Sequence, residues 1–202
     1  MKKAYIFGTS GHANVIATII HKKYDRIHFI DVSPTIGNVI NENEFFKQID
    51  AYKMGDIFLG IGSNKIRTKI YTKLDDLGAT PTNCIALNSF IAHDAHLGNG
   101  IVICPGTVIG SKAIIGNNTI INTLSSIDHD CVLGDNTQGT AGVTFGGTTI
   151  VGKNCFLGIK SATIPNINIG YNSIIMAGSL VYKNVPENVM VGGNPARVMK
   201  NI

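Results

Sequence analysis

From residue 85 onward an apolar side chain returns at every sixth position: Ile85, Ile91, Leu97, Ile103, Ile109, Ile115, Ile121, Ile127, Leu133, Phe145, Val151, Leu157, Ile169, Ile175 and Val181. Fifteen of seventeen register positions obey, with Gly139 and Thr163 the exceptions. A helix would need spacings of three and four, so this period is not helical. The next position is often glycine (Gly98, Gly110, Gly116, Gly134, Gly146, Gly152, Gly158, Gly170), and the fourth after the apolar one is small, as at Ala95, Thr107, Thr119, Ser125, Cys131 and Ser173. This pattern is that of a hexapeptide β-helix. Each hexad supplies one short strand and one corner; the apolar residue fills the interior and glycine eases the turn.

The first 84 residues follow another rule. KKAYIFG is an apolar run ending at glycine, and Gly11 to Lys23 then places Val15, Ile16, Ile19 and Ile20 at helical spacing. A second run, IHFID, ends at Asp31; a third, DIFLGIG, ends at Gly62 and leads into a helix with Ile66, Ile70 and Leu77 on one face. Strands alternating with helices imply a small parallel sheet, so the expected fold is an α/β Rossmann-like domain over 1–84 followed by a β-helix domain over 85–202. Ligands of such sheets bind outside the carboxyl ends of the strands. Those ends carry GTSGH, Asp31 and GIGSN, which makes Gly8, Ser10, Gly11, His12, Asp31, Gly62 and Asn64 one candidate site. GTSG is GxxG and lacks dinucleotide-fingerprint spacing, so an ordinary glycine turn and a phosphate or nucleotide site both stand.

Composition removes several classes. At 44% apolar residues the chain is not disordered, and no apolar run reaches the roughly 20 residues of a membrane span. The polar TSGH follows the first apolar run too soon for a signal peptide, so a cytoplasmic protein is expected. The net charge of +4 is uneven, with 11 basic and 8 acidic side chains in residues 1–84 against 6 and 5 in residues 85–202, yet no basic patch suggests nucleic acid. Cys84, Cys104, Cys131 and Cys155 show no CxxC spacing and read as small buried thiols.

One hexad stands out, IDHDCVLGD, with His129 and Asp130 two and three residues after the interior Ile127. A corner there points both side chains outward, and taken locally either a solvated corner or a site fits. The wider pattern decides between them. The β-helix half resembles the left-handed β-helix acyltransferases, whose triangular coils use three hexads each, and the tail PENVMVGGNPARVM resembles their closing signature. GTSGH, GIGSNKIR, IDHDCVLGD and VGKNCFLGIKSATIPN, in that order, resemble the NeuD/PglD-type sugar acyltransferases over essentially the whole chain.

The resemblance implies transfer of acetyl from acetyl-CoA to the amino group of a nucleotide-linked amino sugar of the UDP-4-amino-4,6-dideoxy-hexose type, in bacterial surface-glycan or glycoprotein sugar biosynthesis, by a homotrimer without a metal. The front domain would hold the nucleotide sugar. His129 would be the general base, since attack on a thioester requires the amine to lose a proton, and Asp130 would orient and charge-stabilise it. Gly147, 18 residues after His129 and hence one coil away on the same edge, would supply an oxyanion-stabilising amide. The family's acetyl-CoA groove maps onto Asn122, Gln138, Gly147, Ile159, Lys160, Ala177 and Arg197, with Lys160 and Arg197 toward the phosphates. Gln138 stands where members often carry a second histidine; its amide can donate a hydrogen bond but cannot serve as acid or base.

Three other readings remain in view. A sugar O-acetyltransferase would use the same base. A zinc carbonic anhydrase would place His93 and His129 two coils apart on one edge, but its third ligand would fall at Gly134. A trimeric scaffold that only senses nucleotide would need none of His129, Asp130 or Gly147.

Overall fold

The computed structural model describes residues 1–33 and 39–202. The chain divides into two compact units, Met1–Cys84 and Ile85–Ile202.

The first unit runs β1 (Lys3–Phe7), α1 (Gly11–Ile20), β2 (Arg26–Asp31), β3 (Val39–Asn41), α2 (Glu42–Lys47), α3 (Ile49–Tyr52), β4 (Asp56–Leu59) and α4 (Asn64–Asp76). Its sheet is parallel with order β3-β2-β1-β4, so β1 is central and the chain leaves it in opposite directions on its two sides. One face is sealed by an aromatic cluster in which Phe45 meets Tyr5 and Phe7 edge-on at 5.7 and 5.1 Å and stacks on Tyr52 at 4.7 Å. Both long helices keep part of the face expected, Ile16 and Ile20 on α1 and Ile70 on α4, and lose the rest. α1 buries Ala13, Ile16 and Ile20 and leaves Val15 exposed; α4 buries Arg67, Ile70 and Leu74 and leaves Ile66 and Leu77 exposed. The reason in α4 is Arg67, 1% exposed, whose Nη1 donates to Ile61 O and Nη2 to Asn64 Oδ1, both at 3.0 Å, so a cation occupies what pattern alone assigns to a hydrocarbon.

The second unit is a parallel β-helix. Two-residue strands pair with strands 18 residues on, as Ile114 with Val132 and Val132 with Ile150, and build three sheets of five, eight and six strands, the largest closed by the hairpin Val189–Gly193/Ala196–Asn201. The six-strand sheet sets the length at about six coils. Register positions from Ile103 to Val181 line the interior, and the core they form is continuous. Both exceptions are accommodated: Gly139 faces Val143 across the core, and the Thr163 hydroxyl accepts from Gly146 N at 3.1 Å and meets Thr149 Oγ1 at 3.0 Å.

The small residues four after each register position are buried donors: Thr107, Ser125, Cys131, Thr137 and Cys155 each reach the carbonyl 15 residues ahead at 3.0–3.4 Å. Cysteine here takes the place of serine and threonine. The glycine after the register position has another task than easing a turn. A Cβ on Gly110 would lie 2.7 Å from His129 N in the next coil, so its absence permits coil stacking. The turn itself is made two residues later, where from residue 100 to residue 178 every sixth residue has φ between 55 and 72°. Asparagine and glycine dominate there because they tolerate that conformation best.

Candidate active site

His129 and Asp130 are the last two residues of one such corner, and Asp130 itself holds the left-handed conformation, φ 57°. That geometry turns the carboxylate back onto the preceding ring, and His129 Nδ1 meets Asp130 Oδ2 at 2.8 Å. With Nδ1–H donating to the carboxylate, the lone pair lies on Nε2. The His129 backbone N–H donates to Asp128 Oδ1 at 2.8 Å, which keeps a second carboxylate next to this residue. The Asp130 hydrogen bond, then the nearby Asp128 charge, raise the imidazole above its ordinary pKa. The side chain is 58% exposed, open to a substrate.

Gly147 stacks directly on this ring. A Cβ there would lie 2.6 Å from Nε2 and 2.7 Å from Cε1, so any other residue would occupy the imidazole's place. Gly147 O accepts from Asn166 N at 3.0 Å, and Thr148 N donates to His129 O at 2.9 Å. The Gly147 N–H has no acceptor among the described residues.

His93-Asp94 repeats the motif two coils earlier on the same edge, but the carboxylate is used differently. Asp94 accepts from Ser111 Oγ at 2.7 Å and Lys112 N at 3.3 Å. Where the next coil offers a serine the aspartate binds it; where it offers Gly147 the aspartate is left to the histidine.

The remaining positions fall elsewhere. Asn122, Ile159, Lys160 and Ala177 lie on the neighbouring edge, the corner before the strand of Ile127 or its equivalents two and three coils on. Asn122 Oδ1 accepts from Thr123 N at 2.7 Å, and Lys160 is a left-handed corner residue. That edge exposes Leu124, Ile159 and Met176, an apolar strip that includes two residues pattern reading passes over. Gln138 sits on a flat face between Ile120 and Phe156, 8% exposed, on neither edge. Arg197, on the terminal hairpin, bonds Tyr182 OH and lies over its ring at 5.0 Å. Tyr182 belongs to the His129 edge, three coils further along, roughly 14 Å at the ~4.8 Å spacing of paired strands.

In the first unit Gly8, Ser10, Asp31 and Gly62 line one cavity of about 470 Å³ at the carboxyl ends of β1, β2 and β4, with Phe7, Ile30, Ile61 and Ile66 as apolar walls. Gly8 needs to be glycine, with φ 95° and Gly60 O 2.9 Å from where a Cβ would stand. Thr9 Oγ1 donates to Asp31 Oδ2 at 2.8 Å. Gly11, His12 and Asn64 do not line this cavity. His12 is largely buried, its Nε2 has no partner among the described residues, and burial with the Arg67 charge lowers its pKa to about 4. Glu42, absent from the sequence reading, and Ser63, inside GIGSN but not named there as a candidate, also line the cavity; each is the kind of polar residue at a helix start that local pattern assigns to capping.

Comparison with known proteins accounts for both halves. Residues 3–74 match the PglD N-terminal domain and residues 148–183 the hexapeptide repeat of succinyl-transferase. A mutant perosamine N-acetyltransferase from Caulobacter crescentus, solved with CoA and GDP-perosamine, is 27% identical and superposes over 100% of this chain and 98% of its own, TM-score 0.94. Both units thus resemble the NeuD/PglD-like left-handed β-helix hexapeptide acyltransferases. The acetyltransferase domain of PglB from Neisseria gonorrhoeae FA1090 is 25% identical over 98% of this chain and 100% of that one, TM-score 0.93. Serine acetyltransferase 2 of Arabidopsis thaliana is 38% identical over 108 residues, 52% of this chain and 30% of that protein. The chain spans about half or less of the length of the curated relatives it matches. Its fold in both units, including the left hand of the β-helix, is that of the NeuD/PglD-like members. Among the described residues no helix is long and apolar enough to cross a membrane, and no group of three or more metal-ligating side chains is found.

Proposed function

We propose that the chain transfers acetyl from acetyl-CoA to the amino group of a nucleotide-linked amino sugar of the 4-amino-4,6-dideoxy-hexose type, as a cytoplasmic homotrimer. The observation that carries this reading is the juxtaposition of a carboxylate-oriented imidazole with a glycine amide that lacks an acceptor. His129 Nε2 takes the proton of the attacking amine as nitrogen bonds to the thioester carbonyl carbon. Charge that builds on the carbonyl oxygen is met by the Gly147 N–H. When the carbon–sulfur bond breaks, the imidazolium returns the proton to the departing thiolate. Asp130 keeps the charged ring in place meanwhile.

The apolar strip of Leu124, Ile159 and Met176 beside Lys160 suits a pantetheine arm leading to phosphates. It lies on a different edge from His129, so a donor that touches both lies between two subunits, which is the argument for the trimer. The cavity at Gly8, Ser10, Asp31 and Gly62 suits the nucleotide: apolar walls for a base, a carboxylate for ribose hydroxyls. The test is thiol release from acetyl-CoA with a panel of UDP-, dTDP- and GDP-linked amino sugars. Turnover with one of them and none with the matching hydroxyl sugar is the expected result. Turnover with the hydroxyl sugar alone would make the enzyme an O-acetyltransferase.

A further inference from the structure

The column of residues directly after the register positions favours glycine, because a Cβ there meets the backbone of the next coil, 2.7 Å away at both Gly110 and Gly134. From Ala86 to Tyr182 this column holds seventeen residues, and Asp128 is the one that carries a charge. Its ladder bond, N to Phe145 O, is 3.3 Å, against 2.9–3.1 Å for the other non-glycine residues of the column that pair in this way. A carboxylate therefore stands where the packing favours no side chain at all. Asp128 Oδ1 accepts from the His129 backbone N–H, which anchors the side chain beside the imidazole, and Oδ2 has no partner among the described residues. Gly110 and Gly146 occupy the column one coil before and one coil after, so neither neighbour has a side chain to cover this carboxylate, and Asp128 is exposed.

We propose that Asp128 selects an amine over a hydroxyl as the acetyl acceptor, its free oxygen taking the N–H that His129 does not. The inference rests on the reading of His129 as the base. A neutral amine has two hydrogens and a lone pair, so one N–H points to His129 Nε2, the other to Asp128 Oδ2, and the lone pair bonds to the thioester carbonyl carbon. An arriving ammonium is drawn in by the carboxylate's charge and gives its first proton to solvent. The second passes to Nε2 as the carbon–nitrogen bond forms, and the third stays on nitrogen as the amide N–H. A sugar hydroxyl has a single hydrogen. Once that is committed to Nε2, Asp128 Oδ2 faces an oxygen lone pair, and two acceptors with no hydrogen between them repel. The carboxylate thus favours one acceptor and penalises the other, the two ways in which specificity arises.

The test uses the full chain as Asp128→Asn and Asp128→Gly. The ligands are the UDP-, dTDP- or GDP-linked 4-amino-4,6-dideoxyhexose that the wild type turns over and the same nucleotide carrying the 4-hydroxy sugar. Calorimetry with CoA present, at a pH above the acid limb, gives both dissociation constants without involving the strength of the base. Asp128→Asn keeps an oxygen for the His129 N–H and puts an N–H donor in place of Oδ2; Asp128→Gly installs the residue this column favours, so a folded variant is at hand. In Asp128→Asn the expected result is an amino-sugar dissociation constant raised roughly 10-fold, a hydroxy-sugar constant unchanged or lower, and kcat/KM for the amino sugar reduced by at least the same factor. Asp128→Gly shows the same loss for the amino sugar and an unchanged constant for the hydroxy sugar. Equal weakening of both ligands, or a wild-type preference in either variant, overturns the inference and leaves His129 as the base. Wild-type turnover of the hydroxy sugar alone overturns the N-acetyltransferase reading and the inference with it.

Discussion

At the scale of single residues, the site depends on one missing side chain and one well-placed carboxylate. Gly147→Ala puts a methyl group 2.6 Å from His129 Nε2 without any need for positive φ, so the backbone survives and the imidazole is pushed from Asp130. The expected outcome is a kcat loss of roughly 10²-fold with an unchanged melting temperature, measured by steady-state kinetics beside calorimetry. Asp130 and Asp128 hold the imidazole above its ordinary pKa, and the proposed base must be neutral to act. The rate therefore rises with pH across a limb that lies above the free-histidine value. Asp130→Asn removes the largest cause, so its limb moves toward acid while its plateau falls; a limb that stays put would assign it to another group. His129 was legible in the sequence because the histidine breaks an otherwise nearly uncharged repeat, and Gly147 because 18-residue stacking aligns the two. Asp128 was not singled out, since its contact is with a backbone N–H.

At the scale of elements, the β-helix was readable because its physics repeats every six residues: interior apolar, close-packed glycine, small buried donor. The left-handed corner was present too, as asparagine or glycine three residues after most register positions, but it is written in residue types that also mark ordinary turns. Asn154→Val places a β-branched residue at such a corner, φ 61°, and breaks the Nδ2 bond to Asn172. It should destabilise the β-helix unit by about 2 kcal/mol in urea denaturation, one part from backbone strain and one from the lost hydrogen bond. The front unit was less legible in detail. Its strand-turn-helix order and the ends of β1, β2 and β4 were visible, but β3 is three residues long and Arg67 takes a buried place on α4 beside Ile70, where Ile66 was expected. A buried arginine is chosen by the backbone carbonyl and side-chain amide it meets, which no periodicity encodes.

At the scale of the whole molecule, two measurements bear on how the parts behave together. His12 has a folded pKa near 4, below its unfolded value of 6.5, so between those values the unfolded chain binds the extra proton. Stability is full above about pH 6.5 and falls as pH drops toward 4, by on the order of 3 kcal/mol from this group. His12→Leu should flatten that part of a stability-versus-pH curve; an unchanged slope would place the titrating group elsewhere. Assembly is the second: light scattering should give three chains per particle at micromolar concentration, whereas a fully active monomer would contradict a donor site shared between edges of different subunits. The central claim is that His129 accepts the proton during acetyl transfer. The most direct measurement is kcat and KM of His129→Ala against pH, with acetyl-CoA and the amino sugar that the wild type uses. A kcat lowered roughly 10²- to 10⁴-fold, KM values little changed and the acid limb gone is the predicted result. Near-normal kcat with the limb intact would contradict it.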